Sequence, residues 1–342
     1  AVCQARSLEA LLDMLDVDLN AWYVERWVGN QWGDGSMWQI KAFFKRKAHE
    51  ALGIEELLEE LANSGPIKPR QYAYAPLKGG RRALEISVAD PHFGLRAFTP
   101  MSRDNYDFDL AQDLWHRGIQ LLLERAQPYG FDNIIFTMGN DLMHADNIWH
   151  STTAGTGQPE MDSWHHTFLQ VEELLLETIE GLSRIAPVHV PVVPGNHGRQ
   201  SEFALGRIID RYFSRDENVT VDCQGSPYVF ARYGCNLIGY EHGHSIKANR
   251  LASLMANERP QDWADTWNRE WHCADQHRDS ALMSEFGVVI RFLPSMVASN
   301  EWAKLKSFSG QQRASLGFIY GYDEGRIGSV QVNAKELYGG GV

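Results

Sequence analysis

A chain of 342 residues, 44% hydrophobic and 22% charged, has the composition of a soluble globular protein of one large or two ordinary domains, which excludes a fibrous or disordered one. A formal net charge of −12 argues against wholesale electrostatic coating of nucleic acid, although a local basic groove can coexist with an acidic whole. The cysteines at 3, 223, 235 and 273 have no paired spacing and read as free thiols of a reducing compartment, and no apolar run approaches the roughly 18 residues of a membrane span, so a cytoplasmic protein with no membrane partner is expected.

Taken in order, residues 7–15 have helical spacing, with Leu8, Leu11, Leu12 and Leu15 on one face. Residues 22–47 read as a hairpin turning at Gly33–Gly35, with Trp38, Phe43 and Phe44 beside Lys41, Lys45, Arg46 and Lys47. That cluster suits either a small nucleic-acid contact or a solvated basic edge that discourages strand addition; the second reading is the favoured one. A short helix is expected over 54–61. The Pro-rich stretch 63–78 reads as a linker, so a boundary is placed near residue 75, with an N-terminal α+β module over 1–75 and a catalytic domain over 76–342. Beyond it, strands alternate with helices expected over 110–128, 163–185, 201–213 and 246–257. After Gly287 the pattern turns to strands, at 288–293, 316–320 and 329–332. Alternating βα units with an all-β tail predict an α/β domain with two sheets, one partly antiparallel.

Five segments share one design, an apolar strand that ends in Gly, Asn, Asp or His. They are ISVADPHFG (86–94), NIIFTMGNDLMH (133–144), PVHVPVVPGNHG (187–198), CNLIGYEHGH (235–244) and EWHCADQH (270–277). In open α/β sheets ligands gather beyond the carboxyl ends of the strands. A mixed His, Asp and Asn set there suits Mn, Fe or Zn better than Ca or Mg. His116, His165, His166 and His189 sit inside helices or a strand and read as structural, His49 and His150 as surface residues, and His272 as packing beside Trp271.

The ordered motifs Asp-x-His, Gly-(Asn)-Asp-x-x-His, Gly-Asn-His, His-Gly and a final x-His resemble the calcineurin-like metallophosphoesterase superfamily over roughly residues 20–335. Asp141-Leu-Met-His144 resembles the branch holding the SbcD-type nucleases. The leader WYVERW (22–27) and WQIKAFFKRK (38–47), Thr152–Thr156 and Leu293-Pro294-Ser295 resemble phage and prophage members. The resemblance implies a four-layer αββα sandwich with two mixed sheets. It implies two divalent ions, Mn ahead of Mg, Fe or Zn. Asp90, His92 and His277 would hold the first, Asn196, His242 and Asp275 the second, and Asp141 would bridge them. A hydroxide between the metals would attack phosphorus, with His144 at the leaving oxygen and His197 positioning His144 or the phosphate. Asn140, Thr153, His244 and Trp302 are candidate substrate contacts, and Trp149 and Trp302 candidate stacking surfaces. The implied activity is a phosphodiesterase on nucleic acid, a DNA nuclease of phage or prophage type. A small-molecule phosphodiesterase and a degenerate, non-catalytic relative stand beside it.

Two departures bear on that expectation. The family's closing Gly-His-x-His is here Ala274-Asp275-Gln276-His277. Asp275 replaces a second-metal His, shifting preference towards Mn or Mg; alternatively His244 or His272 supplies the nitrogen, or the second site is weakened. Gly198 also stands where the family carries an acid after Gly-Asn-His, a loss that could loosen the ligand geometry.

Overall fold

The computed structural model describes residues 7–17, 19, 22–32, 37–46, 65–74, 80–98, 105–158, 162–283, 286–298 and 312–337. The chain divides into two compact units, Ala1–Ala62 and Asn63–Val342. In the first, helix α1 (Leu8–Leu15) starts at Ser7, whose hydroxyl accepts from Ala10 N at 3.1 Å. Strands β1 (Trp22–Trp32) and β2 (Met37–Arg46) then pair antiparallel, with a bulge between Val24 and Arg26. The expected turn at 33–35 and helix at 54–61 lie outside the described residues, as do Cys3, Lys47 and His49.

The second unit runs β3 (Arg82–Ser87), α2 (Phe108–Ala126), β4 (Asn133–Gly139), α3 (Trp164–Ser183), β5 (Val188–Val193), α4 (Arg199–Tyr212), β6 (Val219–Asp222), β7 (Tyr228–Tyr233) and β8 (Asn236–Glu241). It continues through α5 (Ala248–Glu258), α6 (Pro260–Asp265), β9 (Asn268–Cys273), β10 (Ser280–Met283), β11 (Val289–Phe292), β12 (Ala314–Gly321), β13 (Gly325–Asn333) and α7 (Ala334–Leu337). Among the described residues no helix is long and apolar enough to cross a membrane. Part of the stretch read as a linker runs along this unit's helices: Arg70 N donates to Glu177 O at 3.0 Å and Ala73 N to Gln120 Oε1 at 3.0 Å.

Two mixed sheets form, in the orders β13-β12-β3-β4-β5-β6 and β10-β11-β9-β8-β7. In the first, β3 to β6 are parallel and the β12–β13 hairpin adds antiparallel to β3. In the second, β8, β9 and β11 are parallel and β7 and β10 close the edges antiparallel. Strand alternation separates three cores. Leu84, Ile86, Ile134 and Phe136 pack outward against α2 and α3 residues such as Trp115, Ile119 and Leu175. Ala83, Ile135, Ile238, Tyr240, Phe318 and Tyr320 fill the space between the sheets. Leu237, Trp271 and Ile290 pack against Leu251 and Met255 of α5. The result is the four-layer αββα sandwich with two mixed sheets.

The inter-sheet layer is not wholly apolar. Glu85 is fully buried and accepts from Ser87 Oγ at 2.6 Å and Tyr240 OH at 3.1 Å, and it pairs with His272 Nδ1 at 2.7 Å. His272 also faces Glu270, which Arg291 and Arg326 neutralise from the other side. His272 therefore belongs to a buried charge network and not to the apolar packing of Trp271, because neighbouring residues of β9 point to opposite faces of the sheet.

Candidate metal centre

The loops leaving β3, β4, β5, β8 and β9 meet at one end of the sandwich. The first two run side by side: Asp90 N donates to Asn140 O at 2.9 Å, His92 N to Asp141 O at 3.1 Å, and His144 N to Phe93 O at 2.8 Å. The β8 and β9 loops are joined in the same way, Ala274 N to His242 O at 2.6 Å. Ser295 Oγ clamps the carbonyl of Asp90 at 2.6 Å, which gives the Leu-Pro-Ser segment a structural role.

Regular strand geometry would throw successive donors to alternate faces. Here Asp90, His92, Asn140, Asp141, Asp275 and His277 all have positive φ, between 47° and 57°. Left-handed residues are uncommon outside glycine and cluster at functional sites. The i, i+2 pairs Asp90/His92 and Asp275/His277 would share a face in a regular strand as well, and the left-handed turns mark where these loops leave the sheet. The motif glycines serve the same convergence. A Cβ on Gly139, at φ 103°, would meet Val193 O at 2.0 Å, and one on Gly195 would meet Asp141 Oδ1 at 2.0 Å.

The side chains assemble as two overlapping groups. Asp90, His92 and His277 bring ligand atoms within 4.8 Å of one another, and so do Asp90, Asp141 and His242. Around Nε2 of the fully buried His242 stand Asn196 Oδ1 at 2.8 Å, Asp141 Oδ2 at 3.1 Å and Asp275 Oδ1 at 3.7 Å. Asp275, a third exposed, thus occupies the mouth of the second group. His272 supplies no alternative nitrogen to this group. The His244 ring stacks edge-on to His242 with Nε2 turned to Ser245 Oγ at 2.7 Å, and His272 is committed to Glu85.

The donor set fits divalent cations on its own atoms. Both carboxylate oxygens of Asp90 are buried without a hydrogen-bond partner, as are His242 Nδ1 and Asn140 Oδ1. An unpaired buried carboxylate costs several kcal/mol, so this arrangement is stable only with a cation beside it. Protonation shows the same demand. Desolvation pulls His242 down, but Asp141, Asp90 and Asp275 outweigh it and lift its pKa to about 10, so a proton stands among the oxygens when no metal does. Burial, with His197 next, holds His92 well below its ordinary range, which suits a neutral ligand.

A third group, His92, His144 and His197, lies against the first. His197 N donates to Asp141 Oδ1 at 2.7 Å, and His197 Nδ1 donates to the carbonyl of His144 at 2.8 Å, which fixes the tautomer and leaves Nε2 free. His144 Nδ1 lies 3.3 Å from His92 Nδ1, and its Nε2 is buried without a partner. Burial, then His197, lower the pKa of His144 to about 3, so it is a neutral imidazole at ordinary pH.

Of the candidate substrate contacts, Asn140 is buried in the ligand loop, Thr153 donates to Asp146 Oδ2 at 2.6 Å, and Trp302 lies outside the described residues. Trp149 is exposed. His116 pairs with Glu177 and His166 with Asp162, both away from this cluster.

Two buried carboxylates were not singled out in the sequence. Asp146 Oδ1 accepts from Gln200 N, Ser201 N and Ser201 Oγ at 2.8–2.9 Å, capping α4, whose N-cap Gly198 has no side chain to do so. Glu202, on the first turn of α4, accepts from Leu142 N at 2.7 Å and Gly195 N at 2.5 Å. The only prior signal was the missing acid at 198, which pointed to a vacancy and not to the residue that fills it.

No family model and no curated relative matches the chain. Among solved structures, a single mutant of Vps29 from Entamoeba histolytica aligns over 73% of this chain and 98% of its own, at 14% identity and TM-score 0.30. Wild-type Vps29 of the same organism, complexed with zinc, aligns over 73% and 99% at 10% identity and TM-score 0.30. At these scores the likeness carries no argument about chemistry.

Proposed function

We propose that this chain is a calcineurin-like metallophosphoesterase that hydrolyses phosphodiester bonds with two divalent ions, Mn foremost. The carrying observation is the convergence of Asp90, His92, Asp141, Asn196, His242, Asp275 and His277, with both oxygens of Asp90 buried and unpartnered. Asp90, His92 and His277 would hold one ion, Asn196, His242 and Asp275 the other, and Asp141 lies between the two groups. Two such ions supply Lewis acidity towards phosphoryl oxygens and a water acidic enough to be a nucleophile near neutral pH.

The protein's own groups do the rest. His197, whose Nδ1 donates to the carbonyl of His144, would position that residue beside the ligand groups. His144 enters the reaction neutral. An arriving phosphodiester anion would raise its pKa, and the ring would stabilise the charge that develops on the departing oxygen by hydrogen bonding.

Nucleic acid, and DNA in particular, is the substrate this reading favours. Its support is the motif Asp141-Leu-Met-His144 and the hairpin of the first unit. On one face of that hairpin Tyr23 and Phe43 are exposed, Arg26 lies 4.4 Å over the Phe43 ring, and Lys41 pairs across from Val28. Exposed rings interleaved with cations are a stacking and phosphate surface.

The test is hydrolysis of a bis-aryl phosphate and of labelled single- and double-stranded DNA by metal-stripped protein, reloaded with Mn²⁺, Mg²⁺ or Zn²⁺. Metal-dependent cleavage of DNA that disappears in Asp141→Asn is expected. Cleavage of the small diester alone would move the substrate class, and no hydrolysis with any metal would refute the enzyme reading.

A further inference from the structure

The ligand loops are held at their spacing by a group that takes no part in the chemistry above. Asp141 and Asn196 come from different loops, after β4 and β5, yet both face His242 Nε2, so the second ligand group exists only at one separation of those loops. Little tolerance is left in that separation, since Gly195 is already so close that a Cβ would overlap Asp141 Oδ1. The carboxylate of Glu202 spans the gap. One oxygen takes the N–H of Leu142, the residue after Asp141, and the other takes the N–H of Gly195, the residue before Asn196. Glu202 is fully buried, so it serves no surface purpose, and its two oxygens are taken by backbone amides. Burial, then the nearby negative Asp141, push its carboxyl pKa upward, a cost that the two amide donors reduce but do not cancel. Room for it comes from Gly198, where a Cβ would sit 3.3 Å from the Glu202 carboxyl carbon.

We propose that Glu202 is the positioning residue of the second cation site: its bidentate grip on Leu142 N and Gly195 N sets the distance between Asp141 and Asn196. The acid absent from position 198 is thereby supplied from one helical turn later. The proposal rests on reading the centre as a two-metal site.

Mn²⁺ binding to the metal-stripped full chain tests it, followed by calorimetric titration and by electron paramagnetic resonance. Wild type should bind two ions and show the multiline signal of a coupled pair. Glu202→Gln places an amide donor against one of two backbone donors. It should keep one ion at unchanged affinity, weaken the other at least tenfold, and lose the coupled signal. Asp146→Asn, which loosens the cap of the same helix without touching Leu142 or Gly195, should lower thermal stability and keep both ions.

Unchanged affinities in Glu202→Gln, or an equal loss in Asp146→Asn, would overturn the proposal while leaving the two-metal reading intact. Fewer than two ions in wild type would overturn both. Should Glu202→Gln fail to fold, Glu202→Ala combined with Gly198→Asp decides the matter. Return of the coupled signal supports the proposal, and its absence refutes it.

Discussion

Asp90→Asn separates a carboxylate kept for a cation from one kept for the fold. Neither oxygen of Asp90 makes a hydrogen bond, and its nearest cationic neighbours are His277 Nε2 at 3.6 Å and His242 Nδ1 at 4.0 Å. Removing the charge therefore breaks no hydrogen bond. The metal-free variant should be no less stable than metal-free wild type, since the buried charge it removes has only these two long histidine contacts to offset its desolvation. The metal-loaded proteins should differ more. An ion present at about 100 times its Kd stabilises by about 2.7 kcal/mol, which raises Tm by roughly 5 °C at about 2 °C per kcal/mol for a unit of this size. Two ions acting together would double that. Differential scanning calorimetry with and without Mn²⁺ reads both effects. Wild type should rise by roughly 5–10 °C and Asp90→Asn by a small fraction of that. A metal-free Asp90→Asn protein that melts roughly 10 °C lower, or one that keeps the full metal-induced rise, would refute the reasoning.

Asp275→His should move preference from Mn²⁺ towards Zn²⁺ in competitive titrations, since an imidazole is the softer ligand; an unchanged ratio would place Asp275 outside the ligand set. His272 gives a pH signature. Desolvation lowers its pKa, but Glu85 and Glu270 lift it to about 9 in the folded state. The stability it contributes is therefore full below its unfolded value near 6.5 and is lost as pH rises through 9. Urea denaturation should show a fall from pH 6.5 to 9.5 that is smaller by on the order of 3 kcal/mol in His272→Gln, which is itself destabilised at the lower pH. Tyr23→Ala and Phe43→Ala, both at exposed positions, should leave Tm unchanged and weaken single-stranded DNA binding by metal-free protein by about 1–3 kcal/mol each; unaltered binding would remove the hairpin from the substrate path.

Periodicity carried most of the fold, and the structure adds the caps that set its helix starts. Asp107 and Ser163 accept from Leu110 N and His166 N at the starts of α2 and α3, the local signal that separates those helices from the loops before them. The ligand pairs were legible because residues i and i+2 share one face at a strand end, and Gly flanks several of those ends. Three things were not legible. Glu202 and Asp146 act across 60 and 55 residues through backbone N–H groups, and such partners leave no mark in sequence spacing. The Glu85–His272 pair joins strands from different sheets, 187 residues apart, and looks locally like an ordinary alternation of polar and apolar side chains. The hydrogen bond from Thr153 to Asp146, which ties the residue to the α4 cap, was not legible either. Docking of residues 70–73 on α2 and α3 was likewise hidden beneath a Pro-rich composition typical of linkers.

The most direct test of the two-metal centre is anomalous diffraction from crystals of metal-stripped protein soaked in Mn²⁺. Two peaks about 3.5–4 Å apart are predicted, both within ligand distance of Asp141, one beside Asp90, His92 and His277 and the other beside Asn196, His242 and Asp275. A single peak, or one seated among His92, His144 and His197, would contradict the account.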